Sequence, residues 1–369
     1  MHNKLNYSFW ELDYYAQADV VIIGGGIVGI NAAISIKQAK PSWQVLVVEE
    51  RWQGGGASVK NAGFVCFGSP TEMLEDIKNC GEDYAIEIFA KRYEGAKKLL
   101  ERIDAKYMHY SKIGGIEVYC QNENAIDKHG YLNSLVHKAV GLVDYFKTGK
   151  QFISPKFFTE ASLMNEEAAI NPKLMMEAFY NKAIGLGIKF LTDKVAEIQY
   201  ANHTLITEKG VEVKYQQLGI STNGFVTDLL PDFAVKPARN LVLVTEPLTD
   251  IALNKVAHFD KGFVYFRNIG NRILIGGGRN IDLDNEFSGE LAVNEKIESY
   301  LHNFLFENIL NGRKVKIDHT YIGVLGFVND TFATVKKHSS NTWVATGLGG
   351  MGVAIGTKMG EDLAIEMLK

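Results

Sequence analysis

The chain has 369 residues, with 39 Lys and Arg against 43 Asp and Glu, for a formal net charge of −4. At 46% hydrophobic and 22% charged residues it can bury a sizeable core, which excludes a disordered or collagen-like chain. The length suggests two domains, and an acidic balance without a basic stripe argues against nucleic acid or an acidic membrane face as a partner.

The N-terminal stretch before residue 15 mixes charges with aromatics and lacks the apolar core of a signal peptide. Ala18-Asp19-Val20-Val21-Ile22-Ile23 is a continuous run suited to a strand buried on both faces of a parallel sheet. Gly24-Gly25-Gly26-Ile27-Val28-Gly29 follows at once, and Ile27, Ile30 and Ile34 then recur at helical spacing. Val45-Leu46-Val47-Val48 is a second strand ending in Glu49 and Glu50. The unit is β-α-β with GxGxxG at Gly24, Gly26 and Gly29, and Glu49 lies 20 residues past Gly29. Gly24 permits the tight turn, Gly26 lets backbone approach a pyrophosphate, and Gly29 lets the helix pack close to the strand. The helix start attracts phosphate charge, and the acid accepts from a ribose diol. Gly24, Gly26, Ile27, Val28, Gly29, Glu49 and Glu50 are therefore candidate dinucleotide contacts. The apolar stretch from Val20 to Ile30 is too short to span a bilayer.

A NAD domain would continue into an amphipathic helix and a third strand. Here the chain runs Gly54-Gly55-Gly56-Ala57-Ser58-Val59-Lys60-Asn61-Ala62-Gly63-Phe64, a coil of small residues along which a longer cofactor can extend. Residues 83–103 form an amphipathic helix with Ile86, Phe89, Tyr93, Ala96, Leu100 and Ile103 on its buried stripe. Asn171-Pro172 opens another helix, and a strand over 188–191 leads into Thr192-Asp193-Lys194-Val195. A further strand carries Leu218 to Ile220 and passes into Ser221-Thr222-Asn223-Gly224. Strands follow over 239–245, 262–267 and 272–276, then a helix over 291–305 and strand-like segments around Lys316 and Val324. Trp343 to Thr346 is a last strand, and Gly347-Leu348-Gly349-Gly350-Met351-Gly352-Val353 enters the final helix. Gly347, Gly349 and Gly352 repeat the GxGxxG spacing, but too few residues follow for a second strand bearing an acid. Gly356 and Gly360 are expected to let that helix sit close on the sheet. Cys66, Cys80 and Cys120 contain no CxxC, and the nine histidines form no HExxH, so no metal ligand set is expected.

The segment Gly56-Ala57-Ser58-Val59-Lys60-Asn61-Ala62-Gly63 resembles the amine and D-amino-acid oxidase family of FAD-dependent oxidoreductases, which includes glycine oxidase, sarcosine oxidase and γ-glutamylputrescine oxidase. Segments 192–195, 218–224, 262–267 and 343–353 match in family order, so the likeness covers nearly the whole chain. It implies noncovalent FAD, with Ala57, Ser58, Asn61, Ala62, Gly63, Phe64, Val195, Thr222, Asn223, Gly224, Gly347, Gly349, Gly350, Met351, Gly352 and Val353 joining the contacts already named. The last helix would aim its amides at the flavin N1–C2=O edge and stabilise negative charge there. On the substrate side the resemblance puts Tyr265, Arg267, Tyr321 and Lys60. Each also has a structural reading: strand aromatics for the tyrosines, a sheet-edge cap for Arg267, a water or flavin-carbonyl partner for Lys60. Arg279 is assigned a structural role. The chain departs from the family in two places: Leu325 stands where glycine oxidase-like enzymes grip a substrate carboxylate with arginine, and Leu274 where sarcosine oxidases keep an oxygen-activating lysine. Lys60 and Met351 occupy positions where relatives carry histidine.

The expected architecture is α/β with two domains. A Rossmann-like FAD domain discontinuous in sequence comprises 16–82, 152–235 and 320–369, and a substrate domain with a largely antiparallel sheet and flanking helices comprises 83–151 and 236–319. The implied activity is oxidation of a C–N bond of an amine or amino-acid derivative to an imine, by hydride transfer to flavin N5 from a carbon held about 3–3.5 Å away, followed by imine hydrolysis. Oxygen or another acceptor would reoxidise the flavin. The expected partner is a small molecule, with no nucleic acid and no membrane span, in the cytoplasm. The rival reading is a flavin-binding protein without amine oxidase activity, working in a complex or on another substrate such as modified RNA.

Overall fold

The first apolar run becomes the strand Gln17–Ile23, whose last four residues are buried. Val45–Glu49 lies parallel beside it, and Glu212–Ile220 lies parallel on its other side. Thr342–Thr346 and Lys189–Thr192 extend this parallel core in opposite directions, giving the order Thr334–Ser339, Thr342–Thr346, Glu212–Ile220, Gln17–Ile23, Val45–Glu49, Lys189–Thr192. Strands from the start, middle and end of the chain thus form one Rossmann-like sheet. This computed structural model describes residues 7–120, 125–149, 157–251, 253–328 and 333–369. The boundary drawn from sequence between 151 and 152 lies outside them.

One face of the sheet is covered by a helical layer. Ile27–Ala39 packs beside the last helix, Gly352–Leu368. Gly356 and Gly360, expected from sequence to let this helix sit close on the sheet, face the helix Ile27–Ala39 instead. A Cβ on Gly356 would come 2.6 Å from Ile27 Cγ2, and one on Gly360 would come 2.6 Å from the Val28 carbonyl, so both bring helix against helix. The helix Glu82–Arg102 completes the layer, with Gly95 pressed on the Ala354 carbonyl. Its buried stripe is Ala85, Ile88, Phe89, Ala96 and Leu99, while Leu100 is exposed. The stripe is rotated from the predicted one because Gly95 and the ion-paired Arg102 decide which side meets the last helix; Arg102 reaches Glu361 at 2.7 Å.

The second sheet runs Ile317–Val328, Val235–Thr245, Arg272–Gly277, Val264–Ile269, Val256–Phe259, Gly115–Tyr119, Glu160–Met164, Phe146–Gly149. It is antiparallel except where Val256–Phe259 meets Gly115–Tyr119. Sheet membership moves the division read from sequence. Glu160–Met164 pairs within this sheet although it falls in 152–235, and Ile317–Val328 is one continuous strand crossing 319/320. The helix expected over 291–305 is Glu295–Asn303 plus a wider π-helical turn, Phe304–Ile309; Leu291 and Val293 precede it, exposed. Asn294 sets the start by accepting from the Lys296 N–H. Among the described residues no helix is long and apolar enough to cross a membrane.

Candidate functional site

The site begins with two contacts that a side chain would destroy. Gly24 has φ +98°, and a Cβ on Gly29 would lie 1.9 Å from the Gly24 carbonyl oxygen, so the turn and the helix start close on each other only with glycine there. The helix is capped by Gly26, which offers no side-chain acceptor; instead Ser58 Oγ, from the glycine-rich coil, accepts from the Ile27 N–H at 3.0 Å. Glu49 accepts from the Gly25 N–H at 2.7 Å and the Arg51 N–H at 3.1 Å. Burial pushes its carboxyl up, and those amides act the other way. Each oxygen keeps a lone pair for a diol.

Around this start lies an elongated groove enclosing about 430 Å³. Its walls take in Gly24, Gly26, Ile27, Val28, Glu49, Glu50, Ala57, Ser58, Lys60, Asn61, Val195, Thr222, Asn223, Gly350, Gly352 and Val353 from the predicted set. Five segments far apart in sequence therefore converge on one space. Among the described residues two buried wall atoms, Thr222 Oγ1 and Asn223 Oδ1, have no hydrogen-bond partner, and a Cβ on Gly56 would meet only open space. A helix start whose cap residue is a glycine, an acid at a strand end and buried polar wall atoms fit an extended dinucleotide. Gly29, Ala62, Gly63, Phe64, Gly224, Gly347, Gly349 and Met351 stand behind the wall. Several of them shape it: Gly224 backs onto the Leu325 carbonyl, and Gly349 donates to the Gly326 carbonyl at 3.3 Å. The wall also includes Phe225, Leu229, Gly289 and Leu291, which carry no motif and were missed from sequence.

Asn61 organises the coil. Its amide donates to the Ala57 and Ser58 carbonyls, and its oxygen accepts from the Gly63 N–H at 2.8 Å. Arg267 secures the same turn from the second sheet, donating from Nη1 to the Gly63 carbonyl at 2.9 Å and the Ile170 carbonyl at 3.1 Å. Those bonds make Nη1 a positioning group for the coil. Burial lowers its pKa.

The face of the second sheet turned to this coil is apolar at its centre: Val242, Val244 and Leu274 pack with Ala62, Tyr265 and Tyr321. Register places Tyr321, Val242, Gly276 and Tyr265 in one row across four strands. Gly276 and Gly323 make the face shallow; a Cβ on Gly323 would lie 2.8 Å from the Lys60 carbonyl. Tyr265 accepts from Asn240 Nδ2 at 3.0 Å. Burial raises the Tyr265 phenol strongly and Tyr321 to about 12, so both stay protonated at neutral pH. Lys60 lines the groove, and among the described residues its ammonium has no ion pair.

Beyond Tyr265 the row turns polar. His258 pairs in register with Tyr265 and Glu117, and its Nε2 lies 3.0 Å from Glu167 Oε2. Burial pulls the His258 pKa down, but Glu167 outweighs it and the net direction is up. Glu117 is buried and raised by burial while accepting from Ser69, Thr71 and Tyr119. Cys66 joins Glu167 and His258, their ligand atoms all within 4.8 Å, a grouping no sequence spacing announces. Phe64 stands edge-on between His258 and Tyr265, so this polar cluster backs the coil.

A groove built on a dinucleotide-type β-α-β start, continued by a glycine-rich coil and faced by an apolar sheet, defines a flavin-dependent oxidoreductase. Residues 19–365 match the profile described as FAD dependent oxidoreductase (DAO), and the chain belongs to that family and binds FAD. It is 24% identical to gamma-glutamylputrescine oxidoreductase of Escherichia coli and 23% identical to a probable oxidoreductase, OrdL, of Haemophilus influenzae. Each likeness covers 98% of this chain and 86% of the relative. L-proline dehydrogenase from P. horikoshii shares the fold with TM-score 0.76 at 17% identity, over 95% of this chain and 92% of that one. Glycine oxidase from Geobacillus kaustophilus does so with TM-score 0.74 at 17% identity, over 95% of each chain.

Proposed function

We propose that this oxidoreductase oxidises a C–N bond of an amine or amino-acid derivative to an imine that then hydrolyses, using noncovalently held FAD. Bound FAD supplies the two-electron acceptor. The observation that carries the reading is the apolar sheet face of Val242, Val244 and Leu274, flanked by two protonated tyrosines and turned towards the flavin-wrapping coil. Such a wall excludes water and favours a neutral amine, whose lone pair stabilises the developing iminium. Tyr265 and Tyr321 orient the substrate through hydroxyls that do not ionise. Arg267 and Asn61 hold the coil against the substrate face, and Lys60 contributes a positive charge at the groove wall. The relatives named for γ-glutamylputrescine and glycine support the class of substrate.

The test is anaerobic bleaching of the flavin band near about 450 nm by a panel of amines, N-methyl amino acids and polyamine derivatives. Bleaching by at least one is expected, with the flavin released on acid precipitation. If dithionite reduces the flavin and no amine does, the reading is wrong; a yellow precipitate would overturn noncovalent binding.

A further inference from the structure

We propose that Cys66, Glu167 and His258 form a structural zinc site buried behind the glycine-rich coil. The site reverses the expectation from sequence that no metal ligand set exists. It stands apart from the C–N oxidation reading, because none of the three residues lines the groove.

Three segments far apart in the chain bring the donors together. The short strands Phe64–Val65 and Ala168–Ala169 pair antiparallel, Phe64 with Ala169 and Val65 with Ala168. The same register continued by one residue sets Cys66 opposite Glu167. His258 comes from the second sheet, on Val256–Phe259, and Phe64 stands edge-on to its ring at 5.4 Å. One sulfur, one carboxylate oxygen and one ring nitrogen lie within 4.8 Å of one another, with His258 Nε2 3.0 Å from Glu167 Oε2. Bonds of about 2.0–2.3 Å to a tetrahedral zinc hold its donors about 3–4 Å apart, so side-chain rotation suffices to close the three on one ion.

Glu167 is fixed in the way that ligating carboxylates are fixed. Tyr145 donates to its Oε1 at 3.1 Å and the Phe67 N–H donates to the same oxygen at 3.4 Å, which leaves Oε2 turned to His258. Gly115 supplies the room, since a Cβ there would lie 2.0 Å from Oε2. The Cys66 thiol donates to Met351 Sδ at 3.9 Å, a weak acceptor that offers a soft fourth donor. Thiolate, imidazole and carboxylate are ligands that zinc takes together, whereas magnesium and calcium take oxygen. The two anions balance the charge of the ion in a place where all three side chains are buried. An ion there ties the exit of the coil to the second sheet and leaves no position open to the groove, so its role is structural.

The test uses the FAD-loaded full chain, produced with added zinc and purified without chelator, and reads zinc by plasma mass spectrometry and X-ray absorption. The wild type should hold about one zinc per chain, with a sulfur at about 2.3 Å and nitrogen or oxygen at about 2.0–2.2 Å. Cys66→Ala should weaken zinc by about a hundredfold, and Tyr145→Phe, which removes only the support of Glu167, by about tenfold. Cys80→Ser, at an exposed cysteine, should keep the wild-type zinc. Flavin content and melting temperature show which variants are folded; if Cys66→Ala is not, the sulfur in the X-ray spectrum of the Cys80→Ser protein decides. A wild type without zinc, a zinc shell without sulfur, or loss of zinc in Cys80→Ser overturns the proposal. So does a folded Cys66→Ala that keeps its zinc, which would mean an adventitious ion only. No amine enters the measurement, so failure of every amine to bleach the flavin would sink the reaction and leave this result untouched.

Discussion

At the scale of single residues, the dinucleotide end of the site depends on atoms that are missing. Gly29 and the Gly24 carbonyl are so close that one methyl group has nowhere to go. Gly29→Ala is expected to destabilise the fold by about 1–3 kcal/mol through overpacking and to lower FAD occupancy, measured by denaturant unfolding and by the flavin-to-protein absorbance ratio. Unchanged stability and full flavin content would refute the packing argument. The opposite case is Arg267, whose value lies in what it holds. Residue type suggests a substrate cation, yet its Nη1 donates to the Gly63 and Ile170 carbonyls, so it shapes the coil that borders the groove.

At the scale of elements, the helix Pro70–Cys80 carries Glu72, Glu75 and Asp76, and it meets the buried Arg92 of Glu82–Arg102. Glu72 takes that arginine at 2.9 Å. Asp76 is left in a partly buried position where burial, with Glu72 and Glu75 adding to it, raises its pKa to about 6 against the ordinary 3.8. The folded state therefore holds a proton that the unfolded chain releases across that window, and stability falls as pH rises from 3.8 through about 6. Asp76→Asn should accordingly raise the melting temperature above that window and leave it unchanged below 3.8. A melt series against pH checks it; a variant less stable at neutral pH would mean that the attraction to Arg92 outweighs burial.

At the scale of the whole molecule, two sheets with separate apolar cores face each other across a groove. The groove walls come from the start, the middle and the end of the chain, so one FAD bound there would touch segments that the backbone connects only through long detours. Binding of this kind stabilises the folded state by mass action, about 2.7 kcal/mol at a hundredfold excess over Kd. Removing the flavin should lower the melting temperature, and added FAD should restore it in a concentration-dependent way. Proteolysis of the apoprotein is expected first in the glycine-rich coil around 54–56, which the groove borders. A melting temperature indifferent to FAD would contradict the bridging role.

The sequence by itself determined the β-α-β start, the order of the groove-lining segments and the family, because each is written in local spacing: apolar runs of strand length, glycines at fixed intervals, an acid at the next strand end. It also separated two sheets, but not where each strand goes. Glu160–Met164 and Ile317–Val328 join the second sheet through partners distant in sequence, and no local pattern records such pairing. Tertiary structure alone decided the substrate side. It rotated the buried stripe of Glu82–Arg102 through the close approach at Gly95, and it gathered Cys66, Glu167 and His258 behind Phe64. It spent Arg267 Nη1 on carbonyls and stacked Arg279 over the Phe327 ring. The physical reason is common to all of these: what a charge or ring does depends on neighbours brought in across strands, whereas a turn or a helix start depends on the few residues beside it.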